Sequence, residues 1–218
     1  MRGALAFLLL SASLIAAADE PPVARPDVKA GDRWTYRWGD ARQKQEPTVY
    51  ELEVTFVGPK AIKAIGAIEP SGRDVDTTWT PDWNVVTDRR SGSYYPDNGL
   101  LRFPLAPGTA YSSEFEIVRP RLKAFRVRIK IDVKVIGWED IRVPAGKFRA
   151  LKIEAPGTYQ RLDIHAAGRV RYDLWYAPKA KRWVKFKFAS TDSHGQPERE
   201  ETEELLAYRL YDSPGRER

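Results

Sequence analysis

The clearest signal in the chain is an alternation of apolar and polar residues with a period of two. Between residues 49 and 57, Tyr50, Leu52, Val54 and Phe56 share one face, and Glu51, Glu53 and Thr55 share the other. Between 125 and 135 the division is cleaner. Phe125, Val127, Ile129, Ile131, Val133 and Val135 point one way, and Arg126, Arg128, Lys130, Asp132 and Lys134 the other. Successive side chains of a strand project to opposite faces, so the pattern predicts strands with one face in a core and one in water, as antiparallel sheets have. Shorter runs predict further strands at 33–38, 61–68, 74–80, 83–89, 111–118, 148–154, 170–176, 183–189 and 205–211. Turn chemistry separates them at Gly58-Pro59, Pro70-Ser71-Gly72, Thr80-Pro81-Asp82 and Pro144-Ala145-Gly146, the last reading as a three-residue hairpin turn with a bulge. No 3.6-residue period persists for three turns. A short helix has room only near 198–206, where the charge run from Glu198 to Glu204 otherwise reads as a solvated segment. Residues 90–108, rich in Gly, Pro and Tyr, read as a long loop.

These elements predict a single all-β domain over residues 31–212. Its form is one large, strongly twisted antiparallel sheet, curled into a half-open barrel or folded into a sandwich, with little helix. Either shape covers one-sided apolar faces without helices. One hairpin, 170–189, is specific enough to set a register. Pairing Val170 with Phe188, Tyr172 with Phe186 and Leu174 with Val184 matches apolar to apolar. The opposite face then sets Asp173 against Lys185 and Trp175 against Trp183. A slip of one residue would turn every side chain to the wrong face.

The N-terminus departs from the period-two pattern. Arg2 precedes an uncharged run from Ala4 to Ala18 that closes on Ala16-Ala17-Ala18 and stops at Asp19-Glu20-Pro21-Pro22. This is the layout of a cleavable signal peptide over residues 1–18, with cleavage near Ala18, and it predicts a periplasmic or secreted protein. The run is shorter than the roughly 20 residues of a membrane span, and no later stretch supplies one, so no integral membrane segment is expected in the mature chain. Residues 19–30 read as a flexible arm and 213–218 as a disordered tail. The chain has no cysteine, which removes disulfides, thiolate catalysis and zinc–cysteine sites together and suits an oxidising compartment. Net charge is +6, or +5 once Arg2 is lost with the signal. A basic surface favours anionic partners. Export makes nucleic acid a poor one and directs attention to lipid or another amphipathic small molecule, or to an envelope protein.

Candidate chemistry is thin. Asp163-x-His165 and Asp192-x-His194 have metal-ligand spacing, but the expected hairpin register puts the two histidines on opposite faces, so no metal site is expected. No cofactor motif is present. No nucleophile elbow or triad context occurs, and the carboxylates Glu51 and Glu53 alternate with core residues as a solvent-facing strand face. The expectation is therefore a protein that is not an enzyme and carries no catalytic residue. The aromatics stand out more, with seven Trp, ten Tyr and eight Phe. They build either a ring-rich sheet core or a ring-lined groove or cavity. On the second reading the candidate ligand-binding residues are Trp34, Tyr36, Trp38, Trp79, Trp83, Tyr94 and Tyr95. Arg126, Arg128, Lys130 and Lys134 form a candidate surface for an anionic partner, or simply a solvated sheet face.

Four stretches carry a resemblance. They are Gly31-Asp32-Arg33-Trp34-Thr35-Tyr36; Leu101-Arg102-Phe103-Pro104-Leu105 with Gly108; Gly137-Trp138-Glu139 leading to Val143-Pro144-Ala145-Gly146-Lys147-Phe148; and Trp175-Tyr176-Ala177-Pro178. In this order they resemble an exported bacterial β-rich family of unknown function, of the kind that includes TapB-like domains. A looser similarity is to periplasmic lipoprotein carriers, whose curved antiparallel sheet wraps an apolar ligand. The resemblance implies location and fold, and carries over no catalytic residue. The expected function is a non-enzymatic periplasmic binding or accessory protein for an apolar or amphipathic envelope ligand. The alternatives are a protein-interaction module in cell-envelope assembly and, more remotely, a hydrolase.

Overall fold

The computed structural model describes residues 20–68, 73–88, 92–119 and 125–211. The signal segment with its cleavage point and the tail at 213–218 lie outside the described residues. The protein is all-β. Twelve strands run in chain order: β1 Arg33–Asp40, β2 Thr48–Val57, β3 Ile62–Ile68, β4 Arg73–Trp79, β5 Val85–Asp88, β6 Gly92–Tyr95, β7 Ala110–Val118, β8 Arg126–Val143, β9 Gly146–Arg161, β10 Ala166–Ala177, β11 Arg182–Asp192 and β12 Pro197–Arg209. Each pairs antiparallel with its neighbours in sequence, and β1 pairs with β12 as well as β2, so the sheet closes into a barrel. The large antiparallel sheet expected from the sequence is present, and of the two expected forms it takes the barrel, closed rather than half-open.

Closure depends on β12, the part of the chain read as a solvated run or a short helix. Three of its carboxylates are tolerated in a strand because they find donors on the adjoining strands. Glu204 accepts from Lys185 and Arg37, Glu203 from the Trp183 indole, and Glu201 from the Trp38 indole. The 90–108 loop likewise holds a strand, β6, paired to both β5 and β7.

Residues 20–30 differ from a flexible arm. Val23 exchanges backbone hydrogen bonds with Leu105 in both directions, at 2.7 and 2.9 Å, Val28 is buried in the core, and Glu20 and Arg25 are ion-paired to Arg149 and Asp82. Asp32 then fixes the entry to β1. Its buried carboxylate accepts from the backbone N–H of Lys29 and of Tyr211, tying the two ends of the domain together.

As far as Trp175, the 170–189 hairpin keeps its expected faces but not its register. Tyr172 pairs with Phe188, Leu174 with Phe186 and Asp173 with Lys187, a displacement of two residues that leaves side-chain parity unchanged. A bulge between Trp175 and Tyr176 then shifts the count by one, so Trp175 faces Lys185 and Trp183 faces Tyr176. The turn is a 3₁₀ segment, Pro178–Ala180, closed by Lys181 in the left-handed conformation at φ 56°. The β8–β9 turn is also tighter than expected. Val143 pairs directly with Gly146, which sits at φ 131°, leaving a two-residue loop of Pro144 and Ala145.

In a sequential meander, alternate turns fall at the same end of the barrel. One end is filled. The connections β4–β5, β6–β7 and β10–β11 meet there and contribute buried Trp83, Leu100, Leu101, Leu105 and Ala180. The opposite end carries the β1–β2, β7–β8, β9–β10 and β11–β12 turns. Inner-face residues of the long strands β8 to β10, such as Val135, Ile153 and Leu174, form the wall between the two ends.

Candidate functional site

The barrel interior is not filled throughout. A cavity of about 770 Å³ occupies it, within the range of small-molecule binding sites. Trp79, Trp83, Tyr172, Trp183, Phe186 and Phe188 are among its walls, supplied by β4, the β4–β5 turn, β10 and β11. Exposed Gln43, Ile164, Glu198 and Arg199 also line it, all from one end of the barrel, and these mark the mouth. Beside them Tyr159 donates to Glu198 at 2.6 Å, and burial together with that carboxylate pushes the Tyr159 hydroxyl up to about 12.

The floor is built around the β10–β11 turn. Three buried aromatic donors converge on its backbone. The Trp34 indole donates to Ala180 O at 2.8 Å, the Trp83 indole to Lys181 O at 2.9 Å, and the Tyr36 hydroxyl to Trp183 O at 2.7 Å. These bonds bracket Arg182, the residue between Lys181 and Trp183. Its side chain is 1% exposed. The guanidinium carbon lies 3.8 Å from the Trp183 ring centroid, 4.3 Å from Trp83 and 4.4 Å from Trp79, with Trp34 and Tyr36 at 5.7 and 5.9 Å. Such stacking is attractive, and each close ring contributes on the order of 1 kcal/mol when desolvated. It satisfies the faces of the guanidinium but not all of its N–H groups. Among the described residues Nε and Nη1 have no hydrogen-bond partner and no carboxylate forms an ion pair with Arg182.

Glu203 is a nearby acid. It accepts from the Trp183 indole at 2.6 Å and from the Tyr50 hydroxyl rather than pairing with Arg182. Burial raises its pKa, against the lowering effect of those donors and of Arg182. Because Glu203 also lines the cavity and is half-buried, water in the cavity softens that effect. Burial holds the hydroxyls of Tyr36 and Tyr172 well above their ordinary range, so both stay neutral donors.

The structure distributes the sequence candidates unevenly. Trp38, Trp79, Trp83 and Tyr94 line the cavity. Trp34 and Tyr36 lie beneath it, sealed in the floor. Tyr95 is 59% exposed and points away. On the outer face, Arg126 and Arg128 pair with Glu116 of β7, and Lys130 with Glu114 at 3.2 Å, so cross-strand carboxylates neutralise most of the basic strip. Lys134 is exposed beside them. Glu51 and Glu53 both pair with Arg33. His165 and His194 sit in the β9–β10 and β11–β12 turns, at the same end of the barrel. Their neighbouring acids are otherwise engaged: Asp163 makes a bidentate pair with Arg161, and Asp192 caps the backbone N–H of His194 and Gln196. No group of three or more potential metal ligands occurs among the described residues.

Sequence reasoning missed Arg182 and put Trp183 on the solvent face, whereas Trp183 is 7% exposed and forms part of the cavity wall. The bulge at Trp175/Tyr176 breaks the parity on which that reading rested. The one available signal was an arginine adjoining a tryptophan directly after a turn.

No family model matches the chain, and no curated protein does. Solved structures do match. A candidate lipoprotein from Parabacteroides distasonis aligns at 14% identity with a TM-score of 0.53, over 87% of this chain and all of that one. A candidate exported protein with a YmcC-like fold from Bacteroides fragilis aligns at 13% identity and a TM-score of 0.43, over 87% of this chain and all of that one. The hypothetical lipoprotein YmcC of Escherichia coli aligns at 8% identity and a TM-score of 0.45, over 84% of this chain and 85% of that one. The first of these shows a shared fold.

Proposed function

We propose that this protein is a non-enzymatic binding or accessory protein of the bacterial cell envelope that encloses an apolar or amphipathic ligand within its barrel. The observation that carries this reading is the ring-walled cavity of about 770 Å³, whose exposed lining residues lie at one end of the barrel. Rings give large contact area at low conformational cost. The signal-like N-terminus and the resemblance to TapB-like domains and lipoprotein carriers place the ligand in the envelope on this proposal. No helix among the described residues is long and apolar enough to cross a membrane.

The rival reading, an interaction module that recruits a partner through a sheet edge or the basic strip, has less to work with. The sheet closes on itself as a barrel, and the strip is largely paired internally.

The test is displacement of a dye that fluoresces in apolar surroundings. It should bind the native protein at about 1:1 and be displaced by fatty acids, each added methylene strengthening displacement by up to about fourfold. Displacement that ignores chain length would favour the interaction module. Native mass spectrometry of protein from its own envelope would show the bound molecule directly.

A further inference from the structure

A buried cation with unmade hydrogen bonds is costly, and its cost falls when an anion supplies the missing acceptors. Arg182 is such a cation. It lies in the floor of the cavity, opposite the mouth, with Nε and Nη1 unpartnered among the described residues. Its position is built: three aromatic donors grip the backbone carbonyls on either side of it. Trp83, one of the three, adopts φ 62°, a left-handed conformation that a bulky residue takes only when its surroundings require it. Five rings hold the guanidinium, and Glu203, which acts on it electrostatically, accepts instead from Trp183 and Tyr50.

We propose that the cavity takes a single-chain anionic amphiphile head first, with its carboxylate against the guanidinium of Arg182 and its tail running between the rings toward the mouth. This deepens the binding reading above and rests on it. Nε and Nη1 are both buried, so the carboxylate reaches either by shifting a neighbouring indole. It thereby exchanges a cation–π contact for a charge-assisted hydrogen bond to one of the two unpartnered nitrogens, the stronger interaction. Volume sets the chain number. At about 30 Å³ for each water-sized group, the cavity holds roughly 25 such groups, enough for one fatty acid and too few for a two-chain phospholipid.

The experiment compares hexadecanoate, hexadecanol and methyl hexadecanoate as competitors for the dye, on the full-length mature protein. Hexadecanoate should bind about tenfold or more tightly than the alcohol or the ester. Arg182→Met should remove that preference while leaving the alcohol unchanged, and Arg182→Lys should retain part of it. Acetate and inorganic phosphate should not compete at millimolar concentration, because neither has a tail for the rings. If acid, alcohol and ester bind equally and with chain-length dependence, the head-group assignment is overturned and the binding reading stands. If no single-chain compound binds, the binding reading itself falls. Displacement by acetate or phosphate as effective as by hexadecanoate would make the site an anion site without a lipid, also against the proposal. Orientation has its own readout. Quenching of tryptophan fluorescence should be stronger with bromine at carbon 2 of the fatty acid than at its terminal carbon, because the floor indoles surround the head. The reverse order overturns head-first insertion even if Arg182→Met fails to fold.

Discussion

Two neighbouring wall residues turn the cavity into a stability measurement. Leu174 of β10 and Ile153 of β9 are directly paired across the sheet and point to the same inner face. Both are buried, at 1% and 0% exposure. Leu174 lines the cavity, whereas Ile153 lies within the packed wall. Truncating either to alanine removes three carbons, a transfer loss of about 2.4 kcal/mol at about 0.8 kcal/mol per methylene. What differs is the hole left behind. In a close-packed wall it is a new void, and the lost contacts bring the cost of Ile153→Ala to about 4 kcal/mol. At Leu174 the space joins a cavity that is already open to solvent at its mouth, so that extra cost is largely absent and the loss stays near 2.5 kcal/mol. Urea unfolding of the three proteins at one pH, with the slope checked for constancy, gives both values. Equal losses, or a larger one at Leu174, would mean that the cavity is closed or filled in solution, and the reasoning from an open interior would fail.

Glu203→Gln tests the buried acid. Because its folded pKa is raised, the wild-type acid favours the fold at low pH, and that contribution is lost as pH rises through the folded pKa. The amide still accepts from Trp183, so the melting temperature of the variant relative to wild type should climb between pH 4 and pH 8; a flat difference would contradict the assigned direction. Gly157→Ala probes a close approach within the sheet: an added Cβ would lie 2.0 Å from Lys130 O, so the strand must shift, and chemical denaturation should show a loss of at least about 1–3 kcal/mol. His165→Gly should raise stability by up to about 1 kcal/mol in thermal unfolding, because this exposed turn residue sits at φ 55° and glycine carries no left-handed penalty. A loss there would mean that the imidazole makes a contact that outweighs the strain.

The period-two pattern made most of the fold legible. Each strand expected from alternation exists, and the longest, β8, continues from the alternating core at Arg126 as far as Val143. Closure was not legible, because it depends on β12, whose sequence Glu-Arg-Glu-Glu-Thr-Glu-Glu offers no apolar alternation over its first half. Local chemistry there argues for solvent. The strand forms because β1 and β11 present Trp38, Arg37, Trp183 and Lys185 at matching positions, information held some 20 to 165 residues away. Charge runs opposed by aromatic and basic partners can therefore be barrel strands, and only the partner strands reveal it.

The site was legible in its walls and hidden in its floor, and the reason is the same break in register. Strand parity sorted Tyr172 and Leu174 correctly even with the pairing two residues out, because an even displacement preserves faces. It failed from Trp175 onward, where one extra residue enters the ladder. A bulge re-aims the side chains that follow it, and here it turns Trp183 inward and brings the β10–β11 turn, with Arg182, over the end of the barrel. Regular alternation would have put Arg182 and Val184 on one face and Trp183 on the other. In the structure all three are buried, at 1%, 0% and 7% exposure. Periodicity identifies the scaffold where the backbone is regular. The residue with the most unusual physical state in this barrel, a sealed cation with two of its nitrogens unpartnered among the described residues, occurs where regularity has been given up, and sites of that kind have to be sought at the irregularities of a sheet rather than along its faces.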